Sequence, residues 1–157
     1  MERILTIIIL ALGLGLIMAM ATALPAQATL GEAADSVARD QLLLSAGPPS
    51  TQSHTGYTVQ ELQSAAVTLR EYISPAGIVF AIAWNGMVHP DLKPLLGSYS
   101  GDYESAQRRT RQEHGLRQRK VNANKVVVET WGHMRDLQGR SYAPDLIPGG
   151  VTIDEID

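Results

Sequence analysis

Alternation between apolar and polar residues is clearest in the middle of the chain. Residues 67–73 alternate with a period of two, and residues 78–84 are seven consecutive apolar side chains rich in β-branched and aromatic types. The first pattern is typical of a half-buried strand, and the second of a strand buried on both faces. Because a Ser-Pro-Ala-Gly turn separates them, the two segments are predicted to form a β-hairpin.

The turn of this hairpin predicts which residues face each other. Proline holds φ near about −65°, so Pro75 cannot take the first position of a two-residue turn, which requires a positive φ. It suits the first position of a three-residue loop whose last position, in the left-handed region, falls on Gly77. The predicted partners are Ser74 with Ile78, Tyr72 with Phe80, Glu71 with Ala81 and Arg70 with Ile82, the Arg70 guanidinium lying near the Trp84 indole.

Further regions have recognisable patterns. Apolar residues at helical spacing predict an N-terminal helix over residues 29–44 and two short helices over residues 92–106. A valine-rich strand is predicted at 126–134, followed by a hairpin loop at 137–139 across which Asp136 and Arg140 face each other. Loop is predicted for 45–56, and frayed helix passing into loop for 108–124. Residues 151–153 suggest a short edge strand, and the acidic end, residues 154–157, is expected to be loose.

Strands that follow one another in hairpins, with helices before and between them, favour an α+β fold over a parallel α/β fold. We therefore predict one antiparallel sheet of about four to six strands. An N-terminal helix precedes the sheet. A helical insertion follows the third strand, which is the apolar segment at 78–84, since residues 57–62 also start as an alternating strand.

The first 28 residues differ in kind from the rest. A basic residue at position 3 precedes an uncharged apolar stretch, residues 4–23, and Pro25 precedes small residues at Ala26 and Ala28. This is the order of a secretory signal peptide. Cleavage is predicted after Ala28, which leaves residues 29–157 as a single exported, periplasmic or secreted domain. The alternative is an uncleaved inner-membrane anchor, because about 20 apolar residues can span a bilayer.

Composition limits the classes of function. The chain has 157 residues, a formal net charge of −3 and no cysteine. The length excludes a multi-domain enzyme. The lack of cysteine excludes a disulfide framework, a thiolate metal site and a cysteine nucleophile.

Four segments of the chain resemble the DUF2844 family of small exported bacterial proteins. They are residues 69–84 (LREYISPAGIVFAIAW), 90–99 (PDLKPLLGSY), 132–135 (GHMR) and 139–144 (GRSYAP). The resemblance extends from about residue 30 to 156, and it implies a signal peptide and a single domain. It implies no activity, cofactor or catalytic residue. Residues 87–89 depart from the family pattern, which has a glycine-proline step after the tryptophan.

Three residues are candidates for chemistry. Glu71 lies in an apolar alternation, where a carboxyl group needs a partner or its pKa rises. Asp91 forms a His-x-Asp pair with His89 that could offer two metal ligands, although an aspartate at a helix start is more often an N-cap. His133 follows Trp131 in a predicted strand, where a structural histidine is the simpler interpretation. No cofactor, metal site or catalytic constellation is predicted.

A basic run is the clearest charge feature. Its members are Arg108, Arg109, Arg111, Arg117, Arg119 and Lys120. Such a run could contact lipid phosphates or a polyanion, or it could be a solvated helix end, with Glu104 positioned to pair with Arg108. Nucleic acid is not expected, because no aromatic residue interleaves the arginines.

These observations predict a small exported binding or interaction protein without catalysis. Its partner would be an envelope protein or an anionic envelope component, and only the signal peptide would contact the membrane. One alternative is a periplasmic enzyme, such as a hydrolase, with a site built on Glu71, Asp91 or His133. Another is attachment to an anionic envelope surface through the basic run. An enzyme should bring at least two of those three residues together in a concave site, whereas a binding protein should present an exposed surface.

Overall fold

A computed structural model describes residues 30–109 and 118–157. The predicted signal peptide and its predicted cleavage site lie outside the described residues. The described chain forms a seven-stranded antiparallel sheet in the order β1-β2-β3-β4-β7-β6-β5. The strands are β1 (Ser50–His54), β2 (Tyr57–Gln63), β3 (Val67–Ile73), β4 (Val79–Gly86), β5 (Gln118–Asn122), β6 (Val127–His133) and β7 (Asp136–Tyr142).

Helices occur before the sheet and between its fourth and fifth strands. They are α1 (Val37–Leu44), α2 (Leu92–Leu96) and α3 (Ser100–Arg109), and shorter 3-10 turns are Ala34–Ser36, Gly97–Tyr99, Pro144–Leu146 and Ile153–Glu155. The α+β class and the antiparallel sheet are confirmed. The predicted number of strands was too low, and the helical insertion follows the fourth strand instead of the third.

Both strands that sequence reasoning missed are polar edge strands. β1 lies within the loop predicted at 45–56, and all five of its residues are exposed. β5 was read as frayed helix and loop, and only Val121 of its five residues is buried. An edge strand with little buried surface carries no apolar alternation, so its sequence resembles that of a loop.

The turn of the β3–β4 hairpin is confirmed, but the register beyond it is not. The Ser74 amide donates to the Ile78 carbonyl at 2.9 Å, and Gly77 has a φ of 76°. The register then shifts, because Ile73 pairs with Val79 whereas Tyr72 pairs with Ala81. Phe80 is therefore the extra residue of a β-bulge.

This bulge corrects three predicted pairs. Tyr72 lies opposite Ala81 instead of Phe80. Glu71 lies opposite Ile82 instead of Ala81, and Arg70 lies opposite Ala83 instead of Ile82. The predicted contact between Arg70 and Trp84 is wrong, because adjacent register positions point to opposite faces of the sheet. The predicted aromatic contact does form, with the ring centroids of Tyr72 and Phe80 6.2 Å apart.

The β6–β7 turn is also displaced from its predicted place. His133 pairs with Asp136 across Met134 and Arg135, so the turn has two residues and the predicted loop at 137–139 is wrong. Arg140 does not face Asp136 but forms an ion pair with Glu129, with Arg140 Nε 2.6 Å from a Glu129 carboxylate oxygen.

The sheet has a different cover on each face. On one face the helices enclose an apolar cluster that includes Leu30, Leu62, Leu69, Ile82, Trp84 and Leu96. On the other face, the chain after β7 covers a second cluster that includes Tyr57, Tyr72, Phe80, Ala81, Ala83 and Ile156. The acidic end is packed and not loose, since Ile156 is fully buried. The expected edge strand at 151–153 is absent from the described residues, where a 3-10 turn begins at Ile153 instead.

Gly139 gives a direct test of this packing. A Cβ built on Gly139 would lie 2.3 Å from Cζ2 of the Trp84 indole and 2.7 Å from the Glu129 carbonyl oxygen. Gly139→Ala is therefore expected to lower the free energy of unfolding by about 1–3 kcal/mol through overpacking, measured by urea denaturation. Gly149→Ala is the matched control, because no neighbouring atom lies within 4 Å of its added Cβ. Equal denaturation midpoints for the two variants would contradict this packing.

Candidate functional site

Glu71 lies inside the protein, on the helix-covered face of β3. It is fully buried, and so is Asp40 of α1. Neither carboxyl oxygen of Glu71 has a hydrogen bond of ordinary geometry to another described residue. The two carboxyl groups nevertheless interact: burial, followed by a hydrogen bond to Asp40 and the charge of Asp40, raises the pKa of Glu71 to about 10. Glu71 is therefore a neutral acid at physiological pH and has no access to a ligand in solvent.

Asp91 is an N-cap. Its Oδ1 accepts a hydrogen bond from the Lys93 amide at 3.0 Å, at the start of α2. The neighbouring His89 accepts the indole N–H of Trp84 on Nδ1 at 3.0 Å, and partial burial lowers the pKa of His89. The structure therefore places Asp91 in the N-cap role that the sequence favoured over a metal ligand, and His89 is bonded to Trp84. Among the described residues, no group of three or more His, Cys, Asp or Glu side chains could hold a metal ion.

His133 is exposed at the end of β6, beside the turn to β7. The structure therefore places the three sequence candidates in three settings: Glu71 in the core, Asp91 at a helix terminus and His133 at an exposed strand end. Only Glu71 interacts with another carboxyl group, and that group belongs to Asp40.

The basic run is partly paired. Arg108 lies 3.8 Å from Glu104, and the Nε of Arg109 donates to the Ser105 carbonyl at 3.1 Å. Lys120 Nζ lies 2.6 Å from a carboxylate oxygen of Glu129. Arg119 lies on β5, whereas Arg111 and Arg117 lie outside the described residues.

A polar row crosses the sheet on the side away from the helices. Three of its members, Gln63, Thr68 and Asn85, directly adjoin Leu62, Leu69 and Trp84, which belong to the helix-side cluster. Adjacent residues of a strand point to opposite faces, so the row faces away from the helices. Directly paired residues connect it across six strands: Gln118, Trp131, Gln138, Asn85, Thr68 and Gln63. Each member is exposed or half-buried. We call this row the open sheet face.

Hydrogen bonds fix the side chains at its centre. The indole N–H of Trp131 donates to Gln138 Oε1 at 2.9 Å, and the Gln138 amide nitrogen donates to Asp136 at 3.0 Å. The amide of Asn85 donates to the same Asp136 oxygen at 3.3 Å. The guanidinium carbon of Arg140 lies 5.8 Å from the Trp131 ring centroid. This network orients Trp131 without burying it.

The adjacent row carries charges that are paired with one another. Glu129 accepts from Lys120 and Arg140, and Glu61 accepts from Arg70 at 2.9 Å. Burial alone would raise the pKa of Glu129, but the bonds from Lys120 and Arg140 outweigh it and hold the pKa below its usual range. A depression of about 290 Å³ is lined by Gln118, Glu129, Trp131 and Arg140.

The C-terminal segment stops short of the open sheet face. Arg140 donates to the carbonyls of Ile153 and Ile156 at 2.8 and 3.0 Å, and Arg70 donates to the Asp157 carbonyl at 2.8 Å. The two arginines flank Ala83 in one cross-strand row, so the segment lies over this alanine and the neighbouring aromatic residues. The Gln118–Gln63 row is the next polar row along the strands, and no part of the chain that the structure describes covers it.

The sequence contained part of the signal for this face. Gln118 and Lys120 are two residues apart on β5, and Glu129, Trp131 and His133 follow one another at the same spacing on β6. Side chains at this spacing point to the same face of a strand. The helix and loop predicted over 108–124 left no strand where β5 lies. The loop predicted at 137–139 placed Gln138 outside any strand, so its pairing with Trp131 was not predicted.

The pKa of Glu71 predicts how stability depends on pH. A folded-state pKa of about 10, against an ordinary value of 4.5, means that the folded chain keeps a proton that the unfolded chain loses. The contribution of Glu71 to stability should therefore be highest below about pH 4.5 and be lost as pH rises towards 10, by at most about 1.4 kcal/mol per pH unit. Glu71→Gln should flatten the profile of unfolding free energy measured between pH 5 and 9.

The control for this measurement is Asp145→Asn, which alters an exposed carboxyl group. It should leave the slope of the wild-type profile unchanged. A Glu71→Gln profile parallel to that of the wild type would show that Glu71 is not protonated in the fold.

Comparison with known proteins identifies the family. Within residues 30–109 and 118–157, no helix is long and apolar enough to cross a membrane. No curated protein and no solved structure matches the chain. A family model described as protein of unknown function (DUF2844) matches residues 26–156, which include every strand and helix described above. The chain therefore belongs to the DUF2844 family.

Proposed function

We propose that this protein is a small exported binding protein of the bacterial cell envelope, without catalysis, that binds its partner through the open sheet face. The observation that carries the proposal is the bonded group of Trp131, Gln138, Asp136 and Asn85. These side chains are held in place at the surface of a sheet, where rigid elements support a binding site better than loops do.

The arrangement of polar groups supports binding over simple solvation. Side chains that are already bonded to one another lose little freedom when a partner docks, which reduces the entropic cost of binding. Trp131 presents a large half-buried ring, and tryptophan is enriched among residues that dominate binding energies. The face therefore combines a fixed aromatic surface with donors and acceptors on both sides.

An enzyme built on the three candidate residues is less well supported. Glu71 is in the core, and Asp91 is engaged in capping α2. His133 shares a face with Trp131, so it is better placed to bind a partner than to act with either carboxyl group.

Attachment through the basic run is also less well supported. Arg108 and Lys120 are paired with Glu104 and Glu129, which reduces their attraction for a polyanion. Because Arg111 and Arg117 lie outside the described residues, salt dependence of binding is the direct measure of this alternative.

The start of the fold supports export with cleavage. Leu30 is fully buried, and its amide donates to the Leu95 carbonyl at 3.2 Å. The Gly31 amide donates to the Val79 carbonyl at 2.7 Å. Leu30 and Gly31, which take part in this packing, stay in the mature chain when cleavage follows Ala28.

Cleavage is predicted at one bond. N-terminal sequencing of the protein recovered from the periplasm or culture medium should read Thr29-Leu30-Gly31, because the peptidase requires small residues such as those at positions 26 and 28. Recovery of the chain only in the membrane, still beginning at Met1, would favour the uncleaved anchor of residues 4–23.

Envelope binding should depend on Trp131. The exported protein is expected to co-sediment with isolated cell envelopes of the producing bacterium, and Trp131→Ala should reduce the pelleted fraction to the level without envelopes. Leu42→Ser is the control, because Leu42 is 78% exposed on α1, on the other side of the sheet. Equal sedimentation of the Trp131→Ala variant and the wild type would reject the open sheet face as the binding surface. Loss of sedimentation in moderate salt by both proteins would favour the basic run instead.

A further inference from the structure

The open sheet face has the composition of a surface for hydroxyl-rich ligands. Four of its six side chains are amides, and one is a threonine hydroxyl. An amide offers both donors and acceptors in one plane, and a sugar hydroxyl is itself both donor and acceptor. A row of amides can therefore pair with neighbouring hydroxyls without leaving either partner unsatisfied.

Trp131 adds an aromatic platform to this row. One face of a pyranose ring carries only C–H groups, which pack on the electron-rich face of an aromatic ring. The depression of about 290 Å³ beside Trp131 is bordered by Gln118, Glu129 and Arg140. A sugar ring lying against the indole would have polar side chains around its edge.

The charges beside the platform indicate a neutral ligand. The carboxylate of Glu129 is bonded to Lys120 and Arg140, and that of Glu61 is bonded to Arg70. These carboxylates reduce the attraction of Lys120, Arg140 and Arg70 for an anionic polymer. A neutral polyhydroxyl ligand can accept hydrogen bonds from those N–H groups of Lys120, Arg140 and Arg70 that do not contact a carboxylate, and every ion pair then stays intact.

The dimensions of the row indicate a chain of sugars and not a single sugar. The row crosses six strands, which at about 4.8 Å between strands gives a length of roughly 24 Å. Within residues 30–109 and 118–157, no wall encloses the row as walls enclose small-molecule sites.

We propose that the open sheet face binds a neutral polysaccharide, with Trp131 stacking on one sugar ring and Gln118, Gln138 and Asn85 hydrogen-bonding to neighbouring hydroxyls. The proposal rests on the proposed function and specifies its ligand class. The ligand would belong to the glycans of the envelope or of the matrix around it.

The test uses the exported protein and purified soluble polysaccharides. Laminarin, dextran, glucomannan and arabinogalactan are the neutral probes, and alginate and dextran sulfate are the anionic ones. Binding is measured by affinity gel electrophoresis and by tryptophan fluorescence. At least one neutral polysaccharide should retard the wild-type protein and change its fluorescence, in the presence of moderate salt.

Four variants locate the interaction. Trp131→Ala should weaken binding by about tenfold or more, equivalent to about 1.4 kcal/mol, whereas Trp131→Phe should keep part of the affinity because it retains a ring. The fluorescence change should disappear in Trp131→Phe, since Trp84 is the other tryptophan and is buried. Gln118→Ala, at an exposed position, should weaken binding with no effect on folding, and Leu42→Ser should bind like the wild type.

The outcomes separate the two proposals. If no neutral polysaccharide binds, or if Trp131→Ala binds as well as the wild type, the ligand class is wrong. If envelopes still bind in a manner that depends on Trp131, the proposed function stands and a protein partner replaces the glycan. Binding of alginate and dextran sulfate alone, abolished by salt, would overturn the polysaccharide proposal in favour of the basic run.

Discussion

One additional residue in β4, Phe80, determines how the sheet is covered on its two sides. In a regular strand, Phe80, Ile82 and Trp84 would all point to the same face. The bulge at Phe80 sends this ring to one side and Ile82 and Trp84 to the other. Each side thereby receives large apolar residues, so a layer can pack on each. The side away from the helices also receives two small residues, Ala81 and Ala83, where the C-terminal segment can approach the sheet closely.

The two layers differ in extent, and this difference leaves the candidate site exposed. The helices cover the side on which Glu71 and Asp40 are buried, so these carboxyl groups interact with each other in the core instead of meeting a ligand. On the other side, Arg70 and Arg140 hold the backbone of the last residues over Ala83. The covering segment is short, and the polar row centred on Trp131 and Gln138 remains open beside it. The same arginine that anchors the segment also lies against the Trp131 ring, which connects the fold to the proposed binding surface.

The sequence predicted the parts of this structure that depend on buried side chains or turn chemistry. The alternation at 67–73, the apolar run at 78–84 and the Pro75–Gly77 turn led to the α+β class and to the correct start of the central hairpin. The bulge could not be predicted, because it results from packing on both faces and has no local sequence signal. The polar strands β1 and β5 were missed for a related reason: their stability comes from pairing with a neighbouring strand and not from their own apolar residues. The candidate site could not be predicted because its row is assembled from β5, which was missed, and from the register of β6 and β7, whose turn was misplaced.

Side-chain footprinting by hydroxyl radicals measures the binding surface without any mutation, and it tests the central claim most directly. The protein is oxidised alone in solution and after incubation with isolated envelopes, and the modification of each exposed side chain is compared. Protection is expected at Trp131 on the open sheet face and at His133 beside it, while Leu42 and Leu43 on α1 should be oxidised equally in both states. Protection of the α1 leucines with unchanged oxidation of Trp131 would contradict the account.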